Sequence, residues 1–277
     1  MKTYPRVLTI AGSDCSGGAG IQADIKTISA LGAYAASVIT AVTVQNTCGV
    51  SDVYPIPPLY VRKQLEAVLE DICPTTIKIG MITDTGMVET LAEVLHAYPS
   101  IPVVFDTVMV SSSGRRLMSE EAIRQISGLL FPLSTLITPN LNEVEVLTGI
   151  RPDCPEAMEE AAGQLLTYGS QAVLVKGGHL DSNNLCDVLC IRGEQGSHRY
   201  TGNRIESSNT HGTGCTLSSA IATYLALGEP LAEAVGKART YVAECIRSGT
   251  EVRTGHGTGP LNHLHHPVPM HIFRENE

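Results

Sequence analysis

Asn209-Thr-His-Gly-Thr-Gly-Cys215 is the stretch of this 277-residue chain whose residue types and spacing could do chemistry. It runs into Thr216-Leu-Ser-Ser-Ala-Ile-Ala-Thr-Tyr-Leu225, which reads as the entrance of an apolar helix. A turn of this composition lets several backbone N–H groups converge on one point, and the helix N-terminus adds a partial positive charge. The unit is therefore fit to hold an anion. Cys215 stands at its mouth. A free thiol has a pKa near about 8.5, which a helix N-terminus lowers, so a partly formed thiolate is expected there. Taken alone, the same residues serve equally well as a tight connection into a core helix, with Cys215 a small buried apolar residue.

Further polar residues follow apolar runs directly. Asp106 ends Ile101-Pro-Val-Val-Phe-Asp106, Asn140 and Glu143 come just after Thr135-Leu-Ile-Thr138, and Lys176 follows Ala172-Val-Leu-Val175. In an open parallel sheet, ligands bind outside the C-terminal ends of the strands. Carboxylates beside a polyphosphate are the usual means of holding Mg²⁺, which prefers oxygen ligands and keeps part of its water. Each of these residues alone reads as a helix cap or a surface ion pair. Together with an anion-binding turn they point to phosphoryl transfer from a nucleotide.

The elements that must position them follow from periodicity. Strands are expected at Arg6–Ala11, Tyr34–Gln45, Thr76–Gly80, Ile101–Asp106, Thr135–Thr138 and Ala172–Gly178, each nearly continuously apolar. Helices are expected at Ile21–Leu31, from Pro57 to Cys73, around Val88–Leu95, from about Ser119 to Leu130, from Asn140, around Met158–Leu165 and after the turn. Leu185–Ile191 and His198–Gly202 read as a hairpin. This alternation predicts an α/β fold, a three-layer α/β/α sandwich on a mostly parallel sheet. With no internal repeat or long linker, a single domain over 1–277 is expected, its tail irregular from about Thr254. The first glycine-rich turn, Gly12-Ser-Asp-Cys-Ser-Gly-Gly-Ala-Gly20, is neither a P-loop nor a dinucleotide fingerprint, and alone it says little.

Composition narrows the partners. A formal charge of −9, with no basic run longer than Arg115-Arg116, argues against nucleic acid or an anionic membrane. No apolar run reaches the length of a membrane span, and the N-terminus lacks the apolar segment of a signal peptide, so a cytoplasmic enzyme is expected. The eight cysteines include no CxxC pair, which favours a reduced chain, with Cys186 and Cys190 in the core. His263, His265 and His266 read as exposed tail residues rather than metal ligands.

With these motifs in view, the sequence closely resembles the hydroxymethylpyrimidine/phosphomethylpyrimidine kinases of thiamine synthesis, in the ribokinase-like superfamily. The resemblance runs over nearly the whole chain. It is carried by Ala11-Gly-Ser-Asp14, Ser16–Asp24, Ser37-Val-Ile-Thr-Ala41, Val44-Gln-Asn46, Lys78-Ile-Gly-Met81, Thr138-Pro-Asn-Leu141 with Glu143, Val175–Leu180, Asn209–Leu217, and Gly257-Thr-Gly-Pro260 with Asn262 and His263.

The resemblance implies ATP-dependent phosphorylation of 4-amino-5-hydroxymethyl-2-methylpyrimidine (HMP) and then of HMP phosphate, with Mg²⁺, in a homodimer. It implies that Gln45 hydrogen-bonds the aminopyrimidine beside Gly12, Asp24, Val44, Met81 and Val108. It places Asn140, Lys176, Thr210 and His211 at ATP, and Asp106 and Glu143 at the metal. Gly212, Thr213 and Gly214 would form the anion hole, with Cys215 as catalytic base.

Two departures are informative. Most ribokinase-like sugar kinases end the turn in Asp, whereas the pyrimidine kinases carry Cys. After the fourth strand the family often reads Asp-Pro-Val-Met-Val, but here it is Asp106-Thr-Val-Met-Val110, which loosens the expected place of Val108. The nearest rival is a vitamin B6 kinase of the same superfamily. Gln45 favours the pyrimidine, because an amide pairs with a ring nitrogen and an exocyclic amine. A catalytically silent module of the same fold is disfavoured by the intact Asp106, Glu143, Lys176 and turn. Ser111–Arg116 is expected to close over the phosphates.

Overall fold

The computed structural model describes residues 1–109, 118–178 and 184–274. The loop 111–116, expected to close over the phosphates, lies outside the described residues, as does Leu180.

In chain order the elements are β1 (Lys2–Thr3), β2 (Arg6–Asp14), α1 (Gly20–Ala30), β3 (Tyr34–Asn46), β4 (Gly49–Pro55), α2 (Pro58–Asp71), β5 (Thr76–Ile79), α3 (Thr85–Leu95), β6 (Val103–Phe105), α4 (Glu120–Gln125), β7 (Leu136–Ile137), α5 (Leu141–Thr148), α6 (Pro155–Leu166), β8 (Ala172–Val175), β9 (Asn184–Ile191), β10 (His198–Asn203), α7 (Thr213–Ala226), α8 (Leu231–Arg247) and β11 (Phe273–Arg274). The central sheet has the order β10-β9-β8-β7-β6-β5-β2-β3-β4. Neighbours from β3 through β2 to β8 run parallel. β4, β9 and β10 are antiparallel additions at the two edges.

Alternation along the strands sorts the core onto two faces. Leu8, Ile10, Ile77, Ile79, Val103 and Phe105 pack against α2 to α6 on one face. Val7, Val104, Leu136 and Leu174 pack against α1, α7 and α8 on the other. The three-layer α/β/α sandwich is therefore as expected. Cys186 and Cys190 are buried in it, and all eight cysteines are free thiols.

Besides the short β1 and β11, helix α8 and strand β4 went unread in the sequence. Helix α8 buries Ala234, Val235, Ala238, Tyr241, Val242 and Cys245, a helical stripe built largely of small residues. Strand β4 is exposed along its whole length and pairs only with β3, so no buried alternation announces it. The helix expected from Ser119 is α only to Gln125; Ile126–Leu130 continues as a wider π-turn.

Among the described residues the tail has no helix after Arg247, and β11 pairs with β1. One expectation for it needs correction. His263 is not a solvent-facing tail residue but buried, its Nε2 3.0 Å from Thr216 Oγ1, while Tyr241 donates to its carbonyl. Burial, with Lys26 nearby, drives its pKa down to about 4, so it is a neutral strut under α7.

Candidate active site

The parallel strands deliver their polar residues to one rim of the sheet, beside the point where β2 sends its neighbours β3 and β5 to opposite sides. Asp106 follows β6. Its Oδ1 accepts from Lys176 Nζ at 2.8 Å and from Thr138 Oγ1 at 3.1 Å. Burial opposes ionisation of Asp106, but Lys176 and Lys78 together hold its carboxyl below the usual range. Lys176 is likewise held charged against burial by Asp106 and Glu143. The pair thus stays ionised, with Lys176 still 16% exposed.

The turn ahead of α7 comes up against this pair. Gly212 is its left-handed pivot at φ 86°, and a methyl there would lie 1.9 Å from the Gly18 carbonyl. Only glycine fits this position. Thr213 Oγ1 donates to the Thr210 carbonyl at 2.7 Å, and Thr216 N closes on Gly212 O at 2.8 Å. Among the described residues, the backbone N–H groups of Gly214 and Cys215 have no backbone acceptor, as expected in a first helical turn. A methyl on Gly214 would sit 3.4 Å from Asp106 Oδ2 and 3.6 Å from Lys176 Nζ. Free amides, a glycine and an ammonium therefore converge on one space.

Cys215 lies in the same space, but its thiol is not activated. Burial, together with Asp24 and Asp106, outweighs Lys78 and the Gly20 N–H and pushes its pKa up to about 11. The expected lowering by the helix N-terminus is therefore reversed in the free protein, because desolvation of the thiolate exceeds the dipole's help.

Asn140 and Glu143 form a capping box at α5. Glu143 N donates to Asn140 Oδ1 at 3.0 Å, and Asn140 N donates to Glu143 Oε2 at 2.8 Å. Thr107, standing where proline was expected, donates its hydroxyl to Glu143 Oε2 at 3.0 Å. The Met109 N–H points to Oε1 at 3.4 Å. Burial raises the Glu143 pKa to about 7; Lys176 opposes and Asp106 adds to the shift. Val108 is held by its own N–H, which bonds the Asp106 carbonyl at 2.8 Å. The lost proline is thus compensated by two contacts.

A second group gathers where β2 and β3 end. Gly12 and Met81 are in close approach; a methyl on Gly12 would meet Met81 Cε at 2.6 Å. The Gln45 side-chain amide lies 3.0 Å from His211 Nε2. His211, expected at ATP, therefore sits beside Gln45, and its Nε2 is also 2.9 Å from Asp14 Oδ2. Cys15 Sγ bonds both backbone groups of Gln45. Val44, beside Gln45 in the chain, is 55% exposed.

Asp24 lies elsewhere. It is buried beneath the site, bonded to Lys78, Thr9 and Ser219. Lys78 stays charged, because Asp24, Cys215 and Asp106 outweigh its burial. Asp14, Lys78 and Thr107 were given no role in the sequence reading. A buried lysine in the apolar run Ile77-Lys-Ile79 was the available signal, since burial demands a partner.

Known proteins resemble this chain over most of its length. The phosphomethylpyrimidine kinase family model matches residues 14–262. The Escherichia coli hydroxymethylpyrimidine/phosphomethylpyrimidine kinase is 46% identical over 93% of this chain and 97% of its own length. A bifunctional thiamine biosynthesis protein of Geobacter sulfurreducens is equally similar, and the chain spans 53% of that longer protein. Among solved structures, phosphomethylpyrimidine kinase from Clostridium difficile is 44% identical with a TM-score of 0.78, covering 87% of this chain and 99% of that one. Pyridoxal kinase from Staphylococcus aureus, solved with AMP-PCP and pyridoxal, is 33% identical with a TM-score of 0.85, covering 98% of this chain and 99% of that one.

Proposed function

The chain belongs to the phosphomethylpyrimidine kinase family, and on that premise we propose how its residues divide the work. It is a hydroxymethylpyrimidine/phosphomethylpyrimidine kinase of thiamine biosynthesis, transferring a phosphoryl group from ATP to HMP and then to HMP phosphate. The observation that carries the reading is the Asp106–Lys176 ion pair against Gly214, at the open N-terminus of α7.

In this reading Gln45 binds the aminopyrimidine, with Gly12 and Met81 against the ring and the backbone at Val44 and Val108 bounding it. Lys176, Asn140 and Thr210 face the nucleotide phosphates. The amides of Gly214 and Cys215, pivoted by Gly212 and Thr213, receive the migrating phosphoryl oxygens. Asp24, buried, acts through Lys78 rather than by touching substrate.

The donor set fits Mg²⁺, which binds through one or two carboxylates, water and substrate phosphates rather than a closed protein cage. Among the described residues no group of three or more acidic, histidine or cysteine ligands exists. Asp106 would hold the ion, with Glu143 behind it; once bound, it neutralises phosphate charge. Asp106 Oδ2 is the oxygen left free by the ion pair.

Cys215, protonated in the free protein, is a weak base. Phosphoryl transfer through a loose transition state needs positioning and charge neutralisation more than a strong base. Its thiolate gains from Lys78 and the amides around it as the acceptor hydroxyl gives up its proton. The second acceptor is a phosphate monoester, ionised above about pH 6. It needs no base.

No described helix is long and apolar enough to cross a membrane, and a cytoplasmic setting is part of the proposal. So is a homodimer, supported by the open edge of β4 and the exposed Val44, Val50 and Tyr54.

The test is ATP consumption and ³¹P product analysis with HMP, HMP phosphate and pyridoxal in parallel. Phosphate and then diphosphate esters of HMP are expected. Turnover of pyridoxal alone would overturn the reading in favour of a vitamin B6 kinase.

A further inference from the structure

The hydrogen-bond partners of Gln45 determine which way its amide points. In the structure the amide nitrogen faces His211 Nε2 at 3.0 Å and the oxygen faces Thr43 Oγ1 at 3.2 Å. His211 Nε2 is also 2.9 Å from Asp14 Oδ2, and Thr43 Oγ1 is also 3.1 Å from the Ser13 carbonyl. The two ends of an amide are alike in shape, so proton counting must assign them.

The Asp14 end decides. Asp14 accepts from Ser16 N at 2.8 Å, Ser16 Oγ at 2.7 Å, Gly18 N at 3.2 Å and Ala19 N at 2.8 Å. Burial opposes its charge, but these donors and His211 hold its carboxyl below the usual range, so it only accepts. A bare Nε2 would set a lone pair against a carboxylate, so Nε2 carries the ring proton. An amide N–H₂ facing that N–H would then be repelled; a carbonyl would share its proton.

The Thr43 end agrees. The hydroxyl has one proton, which the Ser13 carbonyl can take. Thr43 Oγ1 is then free to accept from the Gln45 N–H₂. Turning the amide by half a turn therefore repairs both contacts. The backbone of Gln45 is held independently by Cys15, so the side chain has little else to adjust.

We propose that Asp14 and His211 are positioning residues for the phosphoryl acceptor: Nε2–H of His211, aimed by Asp14, turns the Gln45 carbonyl toward itself and the N–H₂ toward Thr43. The amide's remaining lone pair and remaining N–H then offer one acceptor and one donor in fixed order. That order suits a heteroaromatic with a ring nitrogen beside an exocyclic amine. His211 also precedes Gly212 and bonds Gly259 O through its own N–H, so one segment aligns both the acceptor ring and the anion turn. This inference rests on the kinase reading for the identity of the acceptor.

The test is steady-state kinetics with HMP and ATP on the wild type, His211→Leu, His211→Gln, Gln45→Leu and the His211→Leu/Gln45→Leu double variant. Loss of one hydrogen bond in a charged network corresponds to about tenfold or more in affinity. His211→Leu should raise KM for HMP by that factor and change KM for ATP by less than about twofold. His211→Gln, whose amide N–H reaches the Nε2 position, should recover most of the loss. In the Gln45→Leu background, losing His211 should add nothing. Additive losses, or an equal rise in KM for ATP, would overturn the proposal. The ¹⁵N spectrum of His211 gives a readout independent of turnover: a proton on Nδ1 alone would also overturn it. A wild type that ignores HMP would sink the kinase reading, whereas an active wild type with additive losses sinks only the role of the Asp14–His211 pair.

Discussion

The Lys78 ammonium stands 3.0 and 2.8 Å from the two oxygens of Asp24, and neither side chain is exposed to solvent. Thr9 and Ser219 supply further donors at 2.5 and 2.7 Å, so β2, β5, α1 and α7 are tied at one buried point. Removing one partner of such a pair strands a charge, which costs about 3–5 kcal/mol, whereas replacing both by apolar groups is often neutral. Asp24→Ala should therefore lower unfolding stability by about that much, and Asp24→Leu with Lys78→Met should regain most of it. Urea unfolding measures both. Equal destabilisation in the single and double variants would show that the pair does not behave as a unit.

Gly212 and Gly214 separate folding from catalysis. Gly212 needs both its positive φ and its lack of a side chain, since a methyl would collide with Gly18 O at 1.9 Å. Gly214 has ordinary helical geometry, and a methyl there would touch Asp106 Oδ2 at 3.4 Å, in the space assigned to the phosphoryl group. Gly214→Ala should keep stability within about 1 kcal/mol of wild type, since alanine favours a helix. It should cut kcat by about a hundredfold, the scale of a blocked oxyanion site. Gly212→Ala should lose stability as well. Normal kcat in Gly214→Ala would remove the anion hole from this turn.

The parallel core and the rim of polar residues were legible because each depends on a local pattern: an apolar run, then Asp106, Asn140 or Lys176. Pairings across long separations were not. Asp24 meets Lys78 over 54 residues and His211 meets Asp14 over 197, and no spacing rule reports such contacts. Hence the partners of Asp24 and of His211 were not foreseen. The sign of the Cys215 shift was hidden for a related reason: a helix N-terminus is visible in sequence, but the depth of burial that overrides it is not. Strand β4 was missed because an exposed edge has no hydrophobic alternation.

Glu143 should give the protein a distinctive pH dependence. Its folded pKa, raised to about 7 from 4.5, means the native state binds more protons than the unfolded chain between those values. Stability contributed by this group is then full below about pH 4.5 and is lost as pH rises through 7, by about 3–4 kcal/mol at about 1.4 per pKa unit. With a chelator present, wild type should lose that stability between pH 5 and 8, and Glu143→Gln should not. Thr107→Val, which removes a donor to the carboxylate, should steepen the slope. Identical slopes in wild type and Glu143→Gln would show that another group is responsible.

The edge at β4 should be the dimer contact. Val42 and Val44 of β3 lie opposite Tyr54 and Asp52 of the edge strand β4, and Val42, Val44 and Tyr54 are all exposed. Such an edge is a template for strand pairing unless it is covered. Sedimentation should find a dimer for the wild type and a monomer for Val44→Asp with Tyr54→Asp. A monomeric wild type at micromolar concentration would refute the assembly.

Cys215 should matter for only one of the two phosphorylations. The first acceptor is a hydroxymethyl group that must lose a proton, and general-base help of this kind is worth about 10²-fold or more. The second acceptor arrives as an anion with its charge already in place. Cys215→Ala should therefore slow conversion of HMP to its phosphate by about a hundredfold and the conversion to diphosphate by less than about fivefold. The raised thiol pKa supplies an independent check. Alkylation of Cys215 at pH 8 should lag behind the exposed Cys15 and Cys48, and should accelerate as pH approaches 11. Equal losses in the two half-reactions would mean that Cys215 shapes the site without handling the proton.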